Sequence, residues 1–334
     1  MCRCLYCYRP LKAGEVDYHP ACAKAFFGTE AAPLLDYTME ALDDLAGQVI
    51  QAQTTLTGVQ PKLSLHIQRH NTEVDKLTIV GLWGNYILKP QTERFPQLPE
   101  VEDVTMKMAD IFGIKTVPHC LIRMADGTLC YITKRIDRTD EGQKIAMEDM
   151  CQLSERKTED KDKSSYERIG KVIDQYSSLP MMDKADFAEL VAFCWLTGNN
   201  DMHLKNFSLY SPDGETQRLA PAYDLLNAAI VNPADDEEMS LTINGRKKRL
   251  KQSDFLSFAK TIGLPEKTIL NIFKRLKKFA TMFEALIKES FLSPDLQAAY
   301  INMINERLQR ISKDEHHKPS SLRSSLLAFT KRSD

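Results

Sequence analysis

Asp201 and Asn206 stand five residues apart in the run GNNDMHLKNF, and the later segment APAYDLLN carries a second acid, Asp224. A carboxylate beside a hydroxyl can accept or orient its proton as the oxygen attacks, while an amide oxygen and a second carboxylate hold Mg²⁺ against nucleotide phosphates. Together they are the smallest polar set that phosphoryl transfer needs. Turn formation is the competing explanation, because Asn and Asp dominate turns and helix caps. The setting favours chemistry. The apolar run Ala192 to Leu196 precedes the cluster and Phe207, Leu209 and Tyr210 follow it, which pins the loop between segments long enough to be buried.

Such a loop needs elements to position it. A helix is expected from Lys184 to Leu196, leading into the cluster, and YILK reads as a strand ending in Lys89. The Asp-to-Asn spacing and the strand-terminal lysine both occur in the protein-kinase motif set. There the ammonium neutralises the α- and β-phosphates and pairs with a carboxylate of the next helix. Here LPEVEDVTMKMADIF offers Glu102 or Glu100, above an apolar stripe of Val101, Val104 and Met108. An exposed lysine at a strand end is the alternative. Upstream, TTLTGVQPKLSLHI places the hydroxyls of Thr54, Thr55 and Thr57 before Gly58, with Lys62 entering an alternating strand. Such a turn can wrap a phosphate with its N–H groups, although an ordinary hairpin approach reads the same way. Strands are also expected at LTI, in TVPHCLIRM and in GTLCYITKRIDR, the last two joined at Ala125-Asp126-Gly127. Asp137 follows them at the expected hinge, placed either to meet ribose hydroxyls or to form an exposed salt bridge. His203 is counted with the nucleotide-contacting residues.

The N-terminus carries different chemistry. Cys4-x2-Cys7 and His19-x2-Cys22 are two chelating pairs separated by eleven residues, and each can close a turn around one ion. Four protein ligands describe a structural Zn²⁺ site whose metal supplies folding free energy to a segment too short for its own core. Cys2 is an alternative to Cys4, and two disulfides are the alternative to metal; a histidine at a ligand position and a reducing compartment argue for zinc. Cys120, Cys130, Cys151 and Cys194 are scattered through apolar contexts and read as reduced, buried hydrophobes.

At 334 residues the chain can form two lobes, each with a core. Its net charge of −2 gives no bulk electrostatic reason to bind nucleic acid. No apolar stretch approaches the ~20 residues that span a bilayer and no signal peptide is evident, so a cytoplasmic protein without membrane contact is expected. The expected fold is α+β and two-lobed: a zinc knuckle over 1–28, an N-lobe with a small mixed β-sheet over 29–145, a helical C-lobe over 146–312 and a tail over 313–334. A helix is expected from Phe26 to Gln53, another from Ala146 to Leu153, and the charged run LSERKTEDKDKSSYERIG reads as solvated surface. Asp235-Asp236-Glu237-Glu238 and Arg246-Lys247-Lys248-Arg249 are close enough to neutralise one another across a hairpin or loop.

In order, TGVQPKLSL, ILKP, LPEVE, ITKRIDR, MEDMCQ, GNNDMHLKNFSLY and LAPAYDLLNA resemble the HipA-type serine/threonine kinases over about residues 50–310. The resemblance implies a kinase-like fold, ATP and Mg²⁺ as cofactors, and transfer to a protein hydroxyl, with aminoacyl-tRNA synthetases among the family's targets. It implies Asp201 as catalytic base, Asn206 and Asp224 as Mg²⁺ ligands, Lys89 as the phosphate-contacting lysine, and Thr55-Leu56-Thr57-Gly58 in place of a Ser-x-Ser-Gly loop that autophosphorylates. It also implies antitoxin partners, with DNA reached only through them. The chain lacks the N-terminal subdomain of about a hundred residues that full-length members carry. It is similar to the shortened form, in which a separate small protein supplies that part and the knuckle is its expected docking surface. A pseudokinase or regulatory module in a DNA-bound antitoxin complex is the alternative function.

Overall fold

The computed structural model describes residues 2–42, 62–69, 74–80, 84–139 and 141–315. Thr55, Thr57 and Gly58 lie outside the described residues. In the upper lobe β1 (Leu63–Gln68), β2 (Lys76–Ile79), β3 (Tyr86–Lys89), β4 (His119–Arg123) and β5 (Leu129–Lys134) form one sheet in the order β2-β1-β3-β5-β4. Strand β1 alternates: Leu63, Leu65 and Ile67 are buried, and the residues between them face outward. The two-lobed α+β class is as expected, but every pairing in this sheet is antiparallel, where a mixed sheet was expected. The helix between β3 and β4 carries the chain past one strand position. β3 and β4 therefore run the same way with β5 between them, and neither pairs with a parallel neighbour. Nor do β2 and β3 pair, since β1 separates them.

That crossover helix is α2 (Leu98–Phe112); α1 (Pro20–Phe27) precedes the sheet. Pro99 sits in the first turn of α2 and Gly113, at φ 99°, ends it. Its apolar residues Val101, Val104, Met108 and Phe112 join the core of the helical lobe, not the core under the sheet. Phe112 stacks on Phe193 with centroids 6.1 Å apart and meets the edges of Phe279 and Phe283. Thr105 shares a 2.8 Å hydrogen bond with the hydroxyl of Tyr300.

The lower lobe contains α3 (Met150–Leu153), α4 (Tyr166–Tyr176), α5 (Pro180–Thr197), α6 (Ala228–Val231), α7 (Gln252–Thr261), α8 (Glu266–Glu289) and α9 (Pro294–Glu315). A small antiparallel sheet joins β6 (Ala146–Asp149), β7 (Ser208–Ser211) and β8 (Arg218–Leu219). The helix expected from Ala146 is thus a strand followed by one helical turn. The pairing of Ala146–Asp149 with β7 wins over local pattern, and Asp149 caps what remains through a reciprocal bond pair with Gln152. The helix expected from Phe26 fails earlier. Gly28, at φ 84°, closes α1, and Leu34 and Leu35 then make strand-like bridges to Lys76 and Met124. Helix resumes at Met39, and the remainder of that expectation lies outside the described residues. The acidic and basic runs do answer one another: Lys247 pairs with Glu237 at 3.1 Å and Lys248 with Asp236.

The N-terminal segment is built into the fold. Leu121 of β4 donates to the Leu5 carbonyl at 3.3 Å, and the Tyr18 hydroxyl donates to the Leu121 carbonyl at 2.5 Å. Phe26 and Phe27 pack against Tyr86. The Tyr8 hydroxyl donates to buried Asp103 on α2 at 2.5 Å, and Arg3 donates to the carbonyls of Glu289 and, at 3.1 Å, Ser290. A segment expected to present a docking surface is on this side committed to the sheet, to α2 and to the turn between α8 and α9. Among the described residues no helix is long and apolar enough to cross a membrane.

Candidate active site

Helix α5 ends at Gly198, whose φ of 78° suits glycine. A Cβ there would lie 2.4 Å from Asn227 Oδ1 and 2.7 Å from the Met303 side chain, so the close approach also requires glycine. The chain then turns into the polar loop, which is anchored from below. Met202, Leu204 and Phe207 are buried, the Tyr166 hydroxyl donates to the Met202 carbonyl at 2.8 Å, and Leu204 donates its N–H to the Lys161 carbonyl at 3.1 Å. Asn206 spends its amide N–H on the Asp201 carbonyl at 2.9 Å, which leaves its Oδ1 for a cation.

Asp224 arrives from the other side with φ at 56°, a left-handed backbone that costs a non-glycine residue energy and is found at functional sites. Its carboxylate joins both lobes: Oδ1 lies 2.5 Å from Lys89 Nζ and Oδ2 lies 2.8 Å from Lys62 Nζ. Lys89 also reaches Glu102 Oε1 at 2.5 Å and stands 5.3 Å from the centroid of Tyr131, its cross-strand neighbour in β5. Glu100 instead accepts from Gln91 at 2.8 Å, so Glu102 is the partner of the lysine. Asn199 links the two polar loops, receiving the Asp201 N–H on Oδ1 and donating Nδ2 to the Asp224 carbonyl, each at 3.4 Å.

The electrostatics of the cluster are uneven. Burial alone would raise the Asp224 carboxyl, but the Lys62 and Lys89 ammoniums hold it well below the usual carboxylate range. For Lys89 burial disfavours the charge, and Asp224 with Glu102 more than restores it, so the lysine stays protonated. Glu102 is pushed up to about 7 by burial despite Lys89, and its Oε2 has no hydrogen-bond partner. Asp201 is exposed to solvent, although protein packs around much of its carboxyl. Loss of hydration pushes its carboxyl up to about 6, against the pull of Lys161 and Lys62. His203 is buried with Nδ1 unpartnered, and burial first, then Lys161, lower it to about 4, so the ring is neutral.

Lys62, Lys89, Glu102 and Asp224 thus form one contact cluster, and Asn199 connects it to the loop bearing Asp201, His203 and Asn206. Asp137 is not joined to them by a hydrogen bond or ion pair. Both its oxygens face Arg135, at 2.8 and 2.6 Å, the salt-bridged strand end that the sequence allowed. Three participants carried no functional reading in the sequence. Asn199 passes for an ordinary turn residue, and Tyr131 is visible only through strand register. Lys161 lies in the charged run read as solvated surface, yet its carbonyl and the Tyr166 hydroxyl fasten the middle of that run to Leu204 and Met202, in the loop bearing Asp201.

The cysteine and histidine group fits a metal. The ligand atoms of Cys4, Cys7, His19 and Cys22 all lie within 4.8 Å of one another, with His19 Nδ1 at 3.4 Å from Cys7 Sγ and 3.7 Å from Cys22 Sγ. His19 Nε2 lies 3.1 Å from the Pro10 carbonyl, which places the ring proton there and turns Nδ1 toward the group. Burial would raise the Cys4 thiol, but backbone N–H groups of His19, Cys7 and Tyr6 bring it below its ordinary value. Exposed Cys2 is outside the group.

A sequence model of the HipA-like C-terminal domain matches residues 54–283. "Putative kinase Y4dM" of Sinorhizobium fredii is 31% identical over 248 residues, which are 69% of this chain and 59% of that protein. A "Putative kinase" of Haemophilus influenzae is 24% identical over 77% of this chain and 84% of its own length. The chain thus spans less than two thirds of the first of these relatives. Among solved structures, the Shewanella oneidensis HipA crystallised with HipB and operator DNA is similar at a TM-score of 0.64 and 20% identity, covering 80% of this chain and 71% of that one. The Helicobacter pylori proinflammatory kinase CtkA is similar at 0.52 and 16%, covering 75% and 96%. At these identities the likeness is one of fold.

Proposed function

Because the chain belongs to the HipA-like C-terminal domain family, we propose that it is an ATP-dependent serine/threonine protein kinase of a toxin-antitoxin set, acting in the cytoplasm. The observation that carries this reading is the junction of Lys89, Glu102 and Asp224, tied through Asn199 to the loop of Asp201 and Asn206. A purely structural role has no use for a buried lysine shared by two acids beside a strained aspartate.

Asp201 orients the acceptor hydroxyl and takes its proton, and a carboxyl poised near 6 is ionised at neutral pH yet basic enough to assist. Lys89, held by Glu102, meets the α- and β-phosphates, and half-exposed Lys62 adds positive charge beside them. Asp224 and the free Oδ1 of Asn206 are the residues that would hold Mg²⁺, which supplies charge neutralisation at the phosphates. His203, neutral and buried, shapes the loop and offers an unspent ring nitrogen to the nucleotide side. Asp137 is the ribose-facing candidate once Arg135 releases one of its oxygens. Thr55, Thr57 and Gly58 are assigned to phosphate contact, with a Thr55 or Thr57 hydroxyl as the acceptor in autophosphorylation.

The cytosolic target is a protein such as an aminoacyl-tRNA synthetase. Antitoxin proteins restrain the enzyme, a separate small protein corresponding to the family's N-terminal subdomain is one of its partners, and DNA is reached only through those partners. Cys4, Cys7, His19 and Cys22 hold a structural Zn²⁺. The test is incubation with ATP and Mg²⁺ followed by mass spectrometry, with Asp201→Asn as control. Phosphate on Thr55, Thr57 or a cellular protein, absent from the control, is expected; nucleotide binding without any transfer would replace the enzyme by a scaffold.

A further inference from the structure

A cavity of about 710 Å³ opens between α6, the segment after it and α9, away from the residues assigned above. Ile230, Pro233 and Met303 give it apolar walls, and Arg307 and Arg310 line it as well. The two arginines are placed alike and partnered differently. Both guanidiniums lie over the Trp195 ring, at 5.8 Å for Arg307 and 5.4 Å for Arg310. Arg310 pairs with Glu238 at 2.7 Å, and that carboxylate also accepts from Trp195 Nε1 at 3.1 Å and from the Leu250 N–H at 3.0 Å. Glu238 is therefore spent. Arg307 is only 6% exposed and its Nη1 has no hydrogen-bond partner.

A guanidinium removed from water and left without an acceptor is costly, and folds retain such groups where something else completes them. Burial lowers its pKa to about 10 while Glu238 opposes the fall, so the group still carries its charge at neutral pH. The neighbouring charges are those of Glu238, Arg310 and Glu306, and no ion pair joins Glu306 to Arg307 among the described residues. We propose that this cavity binds a small ligand bearing an oxyanion, a carboxylate or a phosphate ester, on an apolar body, with Arg307 as its anchor. The anion accepts from the Arg307 guanidinium, and the body lies against Ile230, Pro233 and Met303, the last a flexible wall that adapts to shape.

The position links occupancy to the catalytic loop. Ala229 of the cavity wall donates its N–H to the Gly198 carbonyl at 3.1 Å, and Asn227 Nδ2 lies 3.8 Å from Met303 Sδ. An occupant therefore touches the wall that sets the first residue of the loop bearing Asp201. Binding itself does not depend on the kinase reading, and its test does not use activity.

The chain has two tryptophans, so Trp83→Phe leaves Trp195, beneath both arginines, as the only reporter. In that background Trp195 emission is titrated with phenylphosphate, benzoate and inorganic phosphate at constant ionic strength, with a non-hydrolysable ATP analogue filling the nucleotide cleft. A saturable change with an aromatic probe is expected, weakened at least tenfold by Arg307→Gln. It should weaken as much in Ala299→Phe, an exposed lining position that tolerates a larger side chain and carries the test if Arg307→Gln does not fold. The stronger of phenylphosphate and benzoate identifies the anion. Absence of a saturable response up to about 10 mM, an undiminished response in the folded variants, or inorganic phosphate binding as tightly as the aromatic probes would overturn the assignment.

Discussion

Two polar clusters in this molecule differ in how completely they satisfy themselves. At the N-terminus, the four soft donors face one another, the histidine tautomer is set by a carbonyl and three amides support one sulfur. Nothing there remains open for a reactant. In the cleft the opposite holds. Glu102 and His203 each keep a buried atom without a partner, the Asp201 carboxyl is pushed up to about 6, and Asp224 is claimed by two lysines from a strained backbone. A closed donor set stores stability, whereas a set with unspent valence keeps its free energy for a ligand.

That contrast can be tested at both ends. The largest effect is expected from Cys7→Ser combined with Cys22→Ser: bound zinc should fall from about one equivalent to near none. The melting temperature should drop by about 10 °C, because a segment packed on both lobes loses its scaffold. Asp201→Asn should lower turnover by about 10²- to 10⁴-fold while the melting temperature moves by less than about 2 °C, since among the described residues no hydrogen bond or ion pair is made to its carboxylate. A comparable stability loss there would erase the distinction drawn above. Lys89→Met should abolish nucleotide-dependent transfer and destabilise by about 3–5 kcal/mol at high pH, where Glu102 is left buried, ionised and unpaired. Without Lys89 to lower it, Glu102 rises above its value of about 7, so the deficit should already shrink as the pH falls towards 7 and the carboxyl takes up a proton. The gentlest probe is pH itself. For the unmodified chain, kcat/KM should rise through about pH 6 and fall tenfold per unit below it, as Asp201 takes up a proton. A carboxyl raised to about 7, as in Glu102, holds its proton in the fold where an unfolded chain has lost it. The stability it adds is present below pH 4.5 and fades as pH rises through 7, so Glu102→Gln should flatten that decline in thermal melts.

How far the sequence could be read depended on the range of the physics involved. The ligand pairs of the N-terminal group and the Asp201–Asn206 interval are local; the structure gathers the four donors within 4.8 Å of one another and ties Asn206 to the Asp201 carbonyl. That Lys89 meets Asp224, 135 residues away, and that Lys62 meets the same acid, 162 residues away, are contacts that neither local spacing nor the resemblance implies. Ala146 to Leu153 carries helical spacing, but half of it is captured by a strand that composition cannot reveal. The charged run before α4 was judged by its exposure, and exposed it largely is, yet one backbone carbonyl at Lys161 suffices to bring its lysine near Asp201. Arg307 and its cavity had no sequence signal, since an arginine on an amphipathic helix reads as surface until its neighbours are known.

Helix α2 carries a final consequence. Its apolar face joins the core of the lower lobe while its Glu102 holds Lys89 of β3, so one helix belongs to both lobes at once. The N-terminal segment crosses the same seam, gripping β4 on one side and α2 with the α8–α9 turn on the other. It is a strap stitched across that seam, so a change in how the segment itself is folded is felt by both lobes together.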